Sequence, residues 1–252
     1  NISSTYHGIV LESHYNTISN NNILDNNDKG IWLDCYSHHN TISNNNILNN
    51  AKNGIWLDCY SHHNTISDNH ISNNGKDITW CNDGIWLERH SHHNTISNNT
   101  IFKNHGNGIY LAWSENTILS NNISNNGGDG IWLYGDSNTV SNNNISNNGG
   151  NGIRTSGNSN MISNNNISNN DDEGIYLRSL RNTISNNTIS YNNNGIYFDE
   201  YSHHNTISNN NISNNGNRGI YLKRYTQHNT ISNNNISNNQ DKGIYLECSK
   251  YN

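Results

Sequence analysis

The 252-residue sequence contains no proline, one methionine and two phenylalanines, and charged residues make up only 13% of it. The absence of proline argues against a disordered segment, in which proline is usually enriched. Lysine and arginine number 13 against 19 acidic residues, so no basic surface and no nucleic-acid partner is expected. No apolar run approaches the ~18 residues of a membrane-spanning helix, so no membrane span is expected either.

Large apolar residues are also scarce, whereas asparagine is abundant. Isoleucine, leucine, valine and phenylalanine together number 49, while asparagine alone numbers 63. Such a composition is typical of disordered chains, because little apolar surface is available to form a core. The apolar residues are strictly periodic, however, and this periodicity predicts a folded chain.

A Gly-Ile pair recurs every 21 to 30 residues along the sequence. Each unit reads roughly G-I-(W/Y)-L, followed by N-T-I-S-N-N-N-I-S-N-N. Three short stretches rich in Ile and Thr favour strands, and the Asn, Gly, Ser and Asp between them favour turns. The period predicts a solenoid with three strands per coil, which describes a parallel β-helix. The glycines of these pairs are Gly8, Gly30, Gly54, Gly84, Gly108, Gly130, Gly152, Gly174, Gly195, Gly219 and Gly243.

These units resemble those of the right-handed parallel β-helix repeat family, which includes pectate-lyase-like, carbohydrate-binding and sugar-hydrolase solenoids and archaeal and bacterial surface proteins. The resemblance rests on the G-I-x-L and N-T-I-S-N-N-x-I-S-N-N units and covers the whole chain. It implies an all-β fold of about ten to eleven coils of 21–24 residues. Coils spaced by about 4.8 Å would form a rod of roughly 50 Å, and the handedness of parallel crossovers favours a right-handed one.

Residues 1–252 are expected to form a single solenoid domain with a six-residue insertion near residues 76–81. Ordinary repeat sequence continues to both ends, so the domain is expected to be uncapped, with unpaired strand edges. The chain is then either a segment of a longer solenoid or a unit that stacks head to tail into filaments.

Comparison of the units predicts which positions point inward. Four aliphatic columns, beginning with Ile9, Leu11, Ile18 and Ile23, are expected to form a thin continuous core. Asparagine is invariant at three further unit positions, which begin with Asn16, Asn21 and Asn26. These predict three asparagine ladders at the corners, in which side-chain amides bond from coil to coil.

The position between Ile and Leu of each unit is expected to face outward. It forms an aromatic stripe, which predicts either stacking that stiffens the sheet or a surface for glycans or another rod. The aromatic residues of this stripe are Trp32, Trp56, Trp86, Tyr110, Trp132, Tyr176, Tyr197, Tyr221 and Tyr245.

Histidine and cysteine are clustered at the turn after these strands. Stacked imidazoles at one corner favour a zinc or copper site, although repeat duplication alone also produces the pattern. The candidate ligands are His38, His39, His62, His63, His92 and His93. Cys35 and Cys59 occupy the same unit position in adjacent coils, at a spacing compatible with a disulfide, and free thiols are the alternative. No cofactor is expected.

Two further surface patterns bear on function. Sequons for N-glycosylation, which must be exposed to be occupied, would make a line of glycans along one face. Their asparagines are Asn1, Asn98, Asn122, Asn144, Asn166, Asn186, Asn211 and Asn235. The outward T-x-S array, beginning with Thr17 and Ser19, resembles ice-binding faces, but Leu119 and Met161 interrupt it.

Catalytic signatures of polyuronate-type enzymes are absent: the sequence has no G-H-G, N-T-D or D-P-H-D. The run Asp171-Asp172-Glu173 is interpreted as a solvated turn rather than an acid/base pair. The sequence therefore predicts no enzyme. It predicts an extracellular structural or adhesive solenoid that self-associates head to tail and is N-glycosylated. The alternatives are a carbohydrate-binding or carbohydrate-processing β-helix that uses the aromatic stripe, and an ice-binding protein.

Overall fold

The structure is a computed structural model that describes residues 1–76 and 82–252. Of the insertion predicted near residues 76–81, residues 77–81 lie outside the described residues. The described residues form 32 strands and no helix, and the strands are numbered in chain order. They belong to three parallel sheets, here named A, B and C.

Each coil contributes one strand of two or three residues to each sheet, apart from the ends. Sheet A contains β1 (Ile2–Ser3), β4 (Asn22–Leu24), β7 (Asn46–Leu48), β10 (His70–Ser72), β13 (Thr100–Phe102), β16 (Asn122–Ser124), β19 (Asn144–Ser146), β22 (Asn166–Ser168), β25 (Thr188–Ser190), β28 (Asn211–Ser213) and β31 (Asn235–Ser237). Sheet B contains β2 (Ile9–Leu11), β5 (Ile31–Leu33), β8 (Ile55–Leu57), β11 (Ile85–Leu87), β14 (Ile109–Leu111), β17 (Ile131–Leu133), β20 (Ile153–Thr155), β23 (Ile175–Leu177), β26 (Ile196–Phe198), β29 (Ile220–Leu222) and β32 (Ile244–Leu246). Sheet C contains β3 (Thr17–Ser19), β6 (Thr41–Ser43), β9 (Thr65–Ser67), β12 (Thr95–Ser97), β15 (Thr117–Leu119), β18 (Thr139–Ser141), β21 (Met161–Ser163), β24 (Thr183–Ser185), β27 (Thr206–Ser208) and β30 (Thr230–Ser232).

The register is that of a right-handed parallel β-helix, as predicted. Every strand pairs with its equivalents in the neighbouring coils, position for position. In sheet B, for example, Trp86 pairs with Trp56 on one side and Tyr110 on the other. Because the register never slips, each position of the repeat forms a straight column along the rod.

The core consists of the four predicted aliphatic columns. In the interior coils, the Ile and Leu of each sheet B strand and the middle residue of each sheet A and sheet C strand are fully buried. Phe198 and Thr155 replace leucine in the second column, and both are also fully buried. Adjacent coils cover one another, so a narrow core excludes water over the length of the solenoid.

The three predicted asparagine ladders are present at the corners. In the second ladder, the backbone N–H of Asn143 donates to Oδ1 of Asn165, 2.9 Å away. Its Nδ2 donates to the same Oδ1 at 3.0 Å and to the carbonyls of Ile118 and Ser141 at 3.1 and 3.0 Å. Each buried amide therefore satisfies backbone groups that the turn leaves without sheet partners.

A residue with positive φ precedes each ladder asparagine. Asn142, for example, has φ of 57°, and Asn147 has φ of 56°. Asparagine tolerates the left-handed region better than other residues with a Cβ, and the conformation turns the chain sharply at the corner. The Asn-Asn pairs of the repeat thus combine an exposed turn residue with a buried ladder residue, which explains much of the asparagine content.

The glycine of each Gly-Ile pair lies where two coils come close together. A Cβ atom at Gly130 would lie 2.6 Å from the carbonyl oxygen of Gly152 and 2.5 Å from Cγ2 of Ile145. No side chain fits at this distance, so glycine is required for the coils to stack before sheet B begins.

Candidate functional site on the outward face of sheet B

The middle residues of the sheet B strands face outward, as the alternation predicted. From Trp32 to Tyr245 they are half-buried, because each ring covers the next one. The row divides at Arg154, which lies in register between Trp132 and Tyr176. We name Trp32, Trp56, Trp86, Tyr110 and Trp132 the tryptophan segment, and Tyr176, Tyr197, Tyr221 and Tyr245 the tyrosine segment.

The tryptophan segment is a packed row of rings. The ring centroids of Trp86 and Tyr110 are 4.7 Å apart, and those of Tyr110 and Trp132 are 5.1 Å apart, both edge to face. Lys29 places its Nζ 4.4 Å from the ring centroid of Trp32 and 4.1 Å from that of Trp56. These contacts form a continuous surface with aromatic faces and edges, which is the shape that stacks against sugar rings.

The tyrosine segment adds hydroxyl groups that bond to carboxylates. The Tyr176 hydroxyl donates to Oδ2 of Asp199 at 2.7 Å, and the Tyr221 hydroxyl donates to Glu247. Burial and the bond to Asp199 raise the pKa of Tyr176 above its ordinary value. Burial and the bond to Glu247 raise the pKa of Tyr221 to about 12. These tyrosines therefore stay protonated at neutral pH.

A cleft of about 420 Å³ opens where the two segments meet. Its lining consists of Asn151, Arg154, Asp172, Glu173, Tyr176 and Tyr197. The Arg154 guanidinium stacks on Trp132, with its carbon 4.5 Å from the ring centroid, and lies 5.6 Å from that of Tyr176. Among the described residues, its buried Nε has no hydrogen-bond partner. The cleft thus combines two carboxyl groups, a guanidinium and the rings of Tyr176 and Tyr197.

A fourth polar column, which the sequence analysis missed, forms the floor beside this cleft. It contains the residue before each Gly-Ile pair, and from the third to the ninth coil carboxylates and amides alternate there. Their bonds run in the opposite direction to those of the other ladders: the N–H of Asn151 donates to Asp129 in the preceding coil at 2.7 Å. The members are Asn53, Asp83, Asn107, Asp129, Asn151, Glu173 and Asn194. The sequence signal was the recurring Asn, Asp or Glu before glycine.

Burial changes the titration of the carboxylates in this column. It raises the pKa of Asp83 to about 7, although hydrogen bonds from Asn107 oppose the shift. Burial also raises the pKa of Glu173. The hydrogen bonds that Glu173 accepts from Asn194 at 2.7 and 2.9 Å lower the pKa and oppose this shift. Both of those bonds end on Oε2 of Glu173. Asp172, by contrast, is exposed.

The interpretation of Asp171-Asp172-Glu173 as a solvated turn therefore applies to only part of the run. Asp171 and Asp172 are exposed, but Glu173 is half-buried, and Asp172 and Glu173 both line the cleft. Two carboxyl groups in different surroundings at one cleft are a recognised arrangement for acid/base chemistry on glycosidic bonds.

The six candidate histidines lie at the corner after sheet B, in two stacked columns. His38 stacks on His62 with centroids 4.8 Å apart, and His39 stacks on His63 at 5.0 Å. Burial and the neighbouring imidazoles lower the pKa of His62 to about 4. Within the described residues, His92 and His93 form a three-donor group with Glu115.

Cys35 and Cys59 lie in adjacent coils of the same corner, as expected, and both are free thiols in the structure. Their sulfur atoms and an oxygen of Asp58 lie within 4.8 Å of one another. Burial and the bond with Asp58 raise the pKa of Cys59 to about 11. The disulfide between them stays a prediction.

The other two faces carry the remaining candidate residues. All eight sequon asparagines are exposed. On sheet A, Asn144 donates to Oδ1 of Asn122 at 3.0 Å, and Asn166 donates to Asn144 at 2.9 Å, so these amides form an exposed ladder. Sheet C presents the T-x-S array, with Met161 exposed and Leu119 half-buried in it. Glycosylation and ice binding stay predictions.

Solved structures with a similar fold include a mannuronan epimerase, a tailspike protein and a pectate lyase. The A-module of mannuronan C-5 epimerase AlgE6 from Azotobacter vinelandii has a TM-score of 0.62 at 13% identity, and the match covers 92% of this chain and 80% of that one. The Dettilon tailspike protein (gp208) has a TM-score of 0.74 at 16% identity, over 96% of this chain and 61% of that one. Pectate lyase Pel9A has a TM-score of 0.52 at 13% identity, over 89% and 69%. At these identities the likeness shows the fold alone. No curated protein sequence matches the chain.

These neighbours correct the expectation that the chain is not an enzyme. An epimerase and a lyase share its fold, so the absence of the G-H-G, N-T-D and D-P-H-D motifs does not exclude carbohydrate chemistry. The expectation failed because motifs describe particular active sites, whereas a β-helix can present different residues at the same place on its face.

The sequence itself also matches a family model. That model, the right handed beta helix region, matches residues 1–122, 62–161, 83–199 and 129–252, which together span the chain. The chain therefore belongs to the right-handed β-helix family.

Proposed function

We propose that this protein binds a polysaccharide along the outward face of sheet B and hydrolyses its glycosidic bonds in the cleft at Arg154. The cleft supports this proposal most directly, because two carboxyl groups, a guanidinium and two tyrosine rings line it together. The fold shared with an epimerase, a lyase and a tailspike supports the choice of substrate class.

The proposed chemistry assigns different roles to the two carboxyl groups. Glu173 is the general acid, because burial raises its pKa and favours the protonated form that can donate to the leaving oxygen. Asp172 is exposed and serves as the carboxylate that activates water or stabilises the positive charge at the sugar carbon. Arg154 and the rings of Tyr176 and Tyr197 orient the sugar units on either side.

Glu173→Gln tests the assignment of the acid. Glutamine keeps an oxygen that accepts the bonds from Asn194, so the fold is retained, but it cannot donate the proton. We expect turnover of a cleaved polysaccharide to fall by at least ~10²-fold, with its dissociation constant unchanged within about twofold. Release of reducing ends measures turnover, and calorimetry measures binding.

Asp171→Asn is the matched control, because Asp171 is adjacent, exposed and outside the cleft lining. It should leave both turnover and binding unchanged. Equal losses in Asp171→Asn and Glu173→Gln would contradict the proposed role of Glu173. A failure of the unmodified protein to bind or cleave any of a broad polysaccharide panel would contradict the proposal as a whole.

An extracellular structural or adhesive role is the second candidate, favoured by the exposure of all eight sequon asparagines. In this proposal, glycans on Asn122, Asn144 and Asn166 would line the sheet A face, and copies of the chain would associate head to tail. If mass spectrometry detects no hexose on Asn122 or Asn144, the proposed glycan coat is contradicted. If electron microscopy shows only monodisperse particles, the proposed filament is contradicted.

A further inference from the structure

The histidine pairs at the corner after sheet B bring their ring nitrogens together within each pair. The distance between the two Nδ1 atoms is 2.9 Å for His38 and His39, and 2.9 Å for His62 and His63. It is 2.7 Å for His92 and His93. These pairs are exposed or half-exposed and lie outside the cleft.

The second histidine of each pair lies at a tight corner of the chain. The second histidine of each pair occupies the left-handed region, with φ of 57° at His39 and 54° at both His63 and His93. This conformation turns the chain at the corner, and His204 shares it with φ of 59°. The sheet register then repeats the arrangement from coil to coil, with His63 and His93 stacked at 4.9 Å.

The two Nδ1 atoms of each pair lie at hydrogen-bond distance, so without metal one Nδ1–H donates to the other Nδ1, and a bound ion would replace that proton. Two nitrogens at metal distances of about 2.0 Å and an angle of 90° lie about 2.8 Å apart, whereas a tetrahedral angle separates them by about 3.3 Å. Once the shared proton is lost, two nitrogens this close can bind one ion at a right angle, which suits the tetragonal geometry of Cu(II) and Ni(II). Nitrogen sites also bind Cu(II) more tightly than Zn(II).

The third pair has an additional donor. Oε2 of Glu115, from the next coil, lies 3.5 Å from Nδ1 of His93. One ligand atom from each of His92, His93 and Glu115 lies within 4.8 Å of the others. A carboxylate beside two imidazoles adds negative charge and a third ligand, and the exposed corner leaves the remaining positions open to water.

We propose that His92, His93 and Glu115 form a binding site for a tetragonal divalent metal ion, Cu(II) in preference to Zn(II). The pairs His38/His39 and His62/His63 are weaker sites of the same kind. The site is independent of the cleft, so it adds to the proposed polysaccharide function and does not depend on it.

The chain contains a natural comparison for this site. The segment Ser202-His203-His204-Asn205 repeats the sequence Ser91-His92-His93-Asn94. At the later corner, however, Nδ1 of His203 accepts the backbone N–H of Gln227 at 3.0 Å, whereas Nδ1 of His92 bonds to the Nδ1 of His93. The same four residue types are thus expected to bind metal at one corner and not at the other.

The test is titration of the full chain with Cu(II), followed by pulsed electron paramagnetic resonance, which detects coordinated imidazole. We expect the tightest Cu(II) ion to show two imidazole nitrogens. His92→Gln combined with His93→Asn should weaken that binding by at least about tenfold, and Asn is suited to the positive φ of residue 93. Glu115→Gln should weaken binding less and keep both nitrogens.

The control variant combines His203→Gln and His204→Asn, and it should leave the tightest site unchanged. Thermal unfolding without metal checks that every variant keeps the fold. The proposal is overturned if the two-imidazole signal persists in the 92/93 variant or if the 203/204 variant loses it equally. Tighter binding of Zn(II) than of Cu(II) would overturn the tetragonal assignment.

Discussion

The tryptophan and tyrosine segments occupy the same column of the same sheet, yet they offer different chemistry. In the tryptophan segment, rings pack against rings and against Lys29, and the buried Nε1 atoms of Trp32, Trp56 and Trp132 have no hydrogen-bond partner among the described residues. In the tyrosine segment, hydroxyls bond to carboxylates, and Lys223 adds an ion pair with Asp199 at 3.1 Å. The backbone register is identical in both.

This difference shows that different residues of each coil determine the fold and the chemistry of the surface. The inward columns and ladders hold the coils in place, so the outward column can change residue type without changing the fold. One half of the stripe then suits stacking on an extended ligand, and at the boundary beside Arg154 carboxyl groups and aromatic rings line a cleft.

Both segments depend on the buried asparagine ladders, and we expect the largest effect on stability from a mutation there. Asn143→Ala removes the acceptor of the Asn121 N–H and the Nδ2 donor to the Ile118 and Ser141 carbonyls. We expect the free energy of unfolding to fall by about 3 kcal/mol or more, measured by urea denaturation. Asn144→Ala, one residue along and exposed, should change it by less than ~0.5 kcal/mol. Equal losses would contradict the buried role of the ladder.

Arg154→Trp would remove the boundary and extend the tryptophan segment into the cleft. Turnover should fall by at least ~10²-fold, because the bulky ring displaces the sugar from the carboxyl groups. Binding of long oligosaccharides should persist, because the stacking surface becomes continuous. Arg178→Trp, at an exposed position outside the cleft lining, is the control. Unchanged turnover in Arg154→Trp would place the reaction elsewhere.

The fourth column predicts a pH dependence of stability. Because the folded pKa of Asp83 is raised to about 7, the folded state binds the proton more tightly than the unfolded chain, whose pKa is about 4. Stability from this group is therefore full below pH ~4 and is lost as the pH rises to ~7. Asp83→Asn, which matches the amides elsewhere in the column, should stabilise the protein at pH 8 and leave its stability nearly unchanged at pH 4. A gain that is the same at both pH values would contradict the raised pKa.

The smallest effect, a loss of polysaccharide affinity, is expected from a mutation within the tryptophan segment. Trp86→Ala removes the stacking with Trp56 and Tyr110 and should weaken polysaccharide binding about tenfold, with turnover of the bound substrate unchanged. Trp113→Ala is the control, because Trp113 contacts His90 outside the stripe. If both variants lose affinity equally, the stripe is not the binding surface.

Much of the fold was predictable because it repeats. Four aliphatic columns, three asparagine ladders and the outward stripe follow from positions that recur in nearly every coil. The fourth column was missed because no single residue type recurs in it. Asn alternates with Asp or Glu in the middle coils, and Lys29 and Arg218 occupy the position in the coils before and after them. The cleft was missed because Arg154 reads in sequence as an interruption, and only the packing shows that Asp172 and Glu173 lie against it.

The sequence by itself determined the solenoid, since the spacing of Gly, Ile and Asn permits only coils that stack in register. Only the tertiary structure decided which polar residues share a site. Residues one coil apart are separated by more than twenty positions in the chain, and their contacts depend on turn conformation. His93 and His204 share a left-handed backbone, yet Nδ1 of His92 bonds to His93 whereas Nδ1 of His203 accepts the N–H of Gln227 from the next coil.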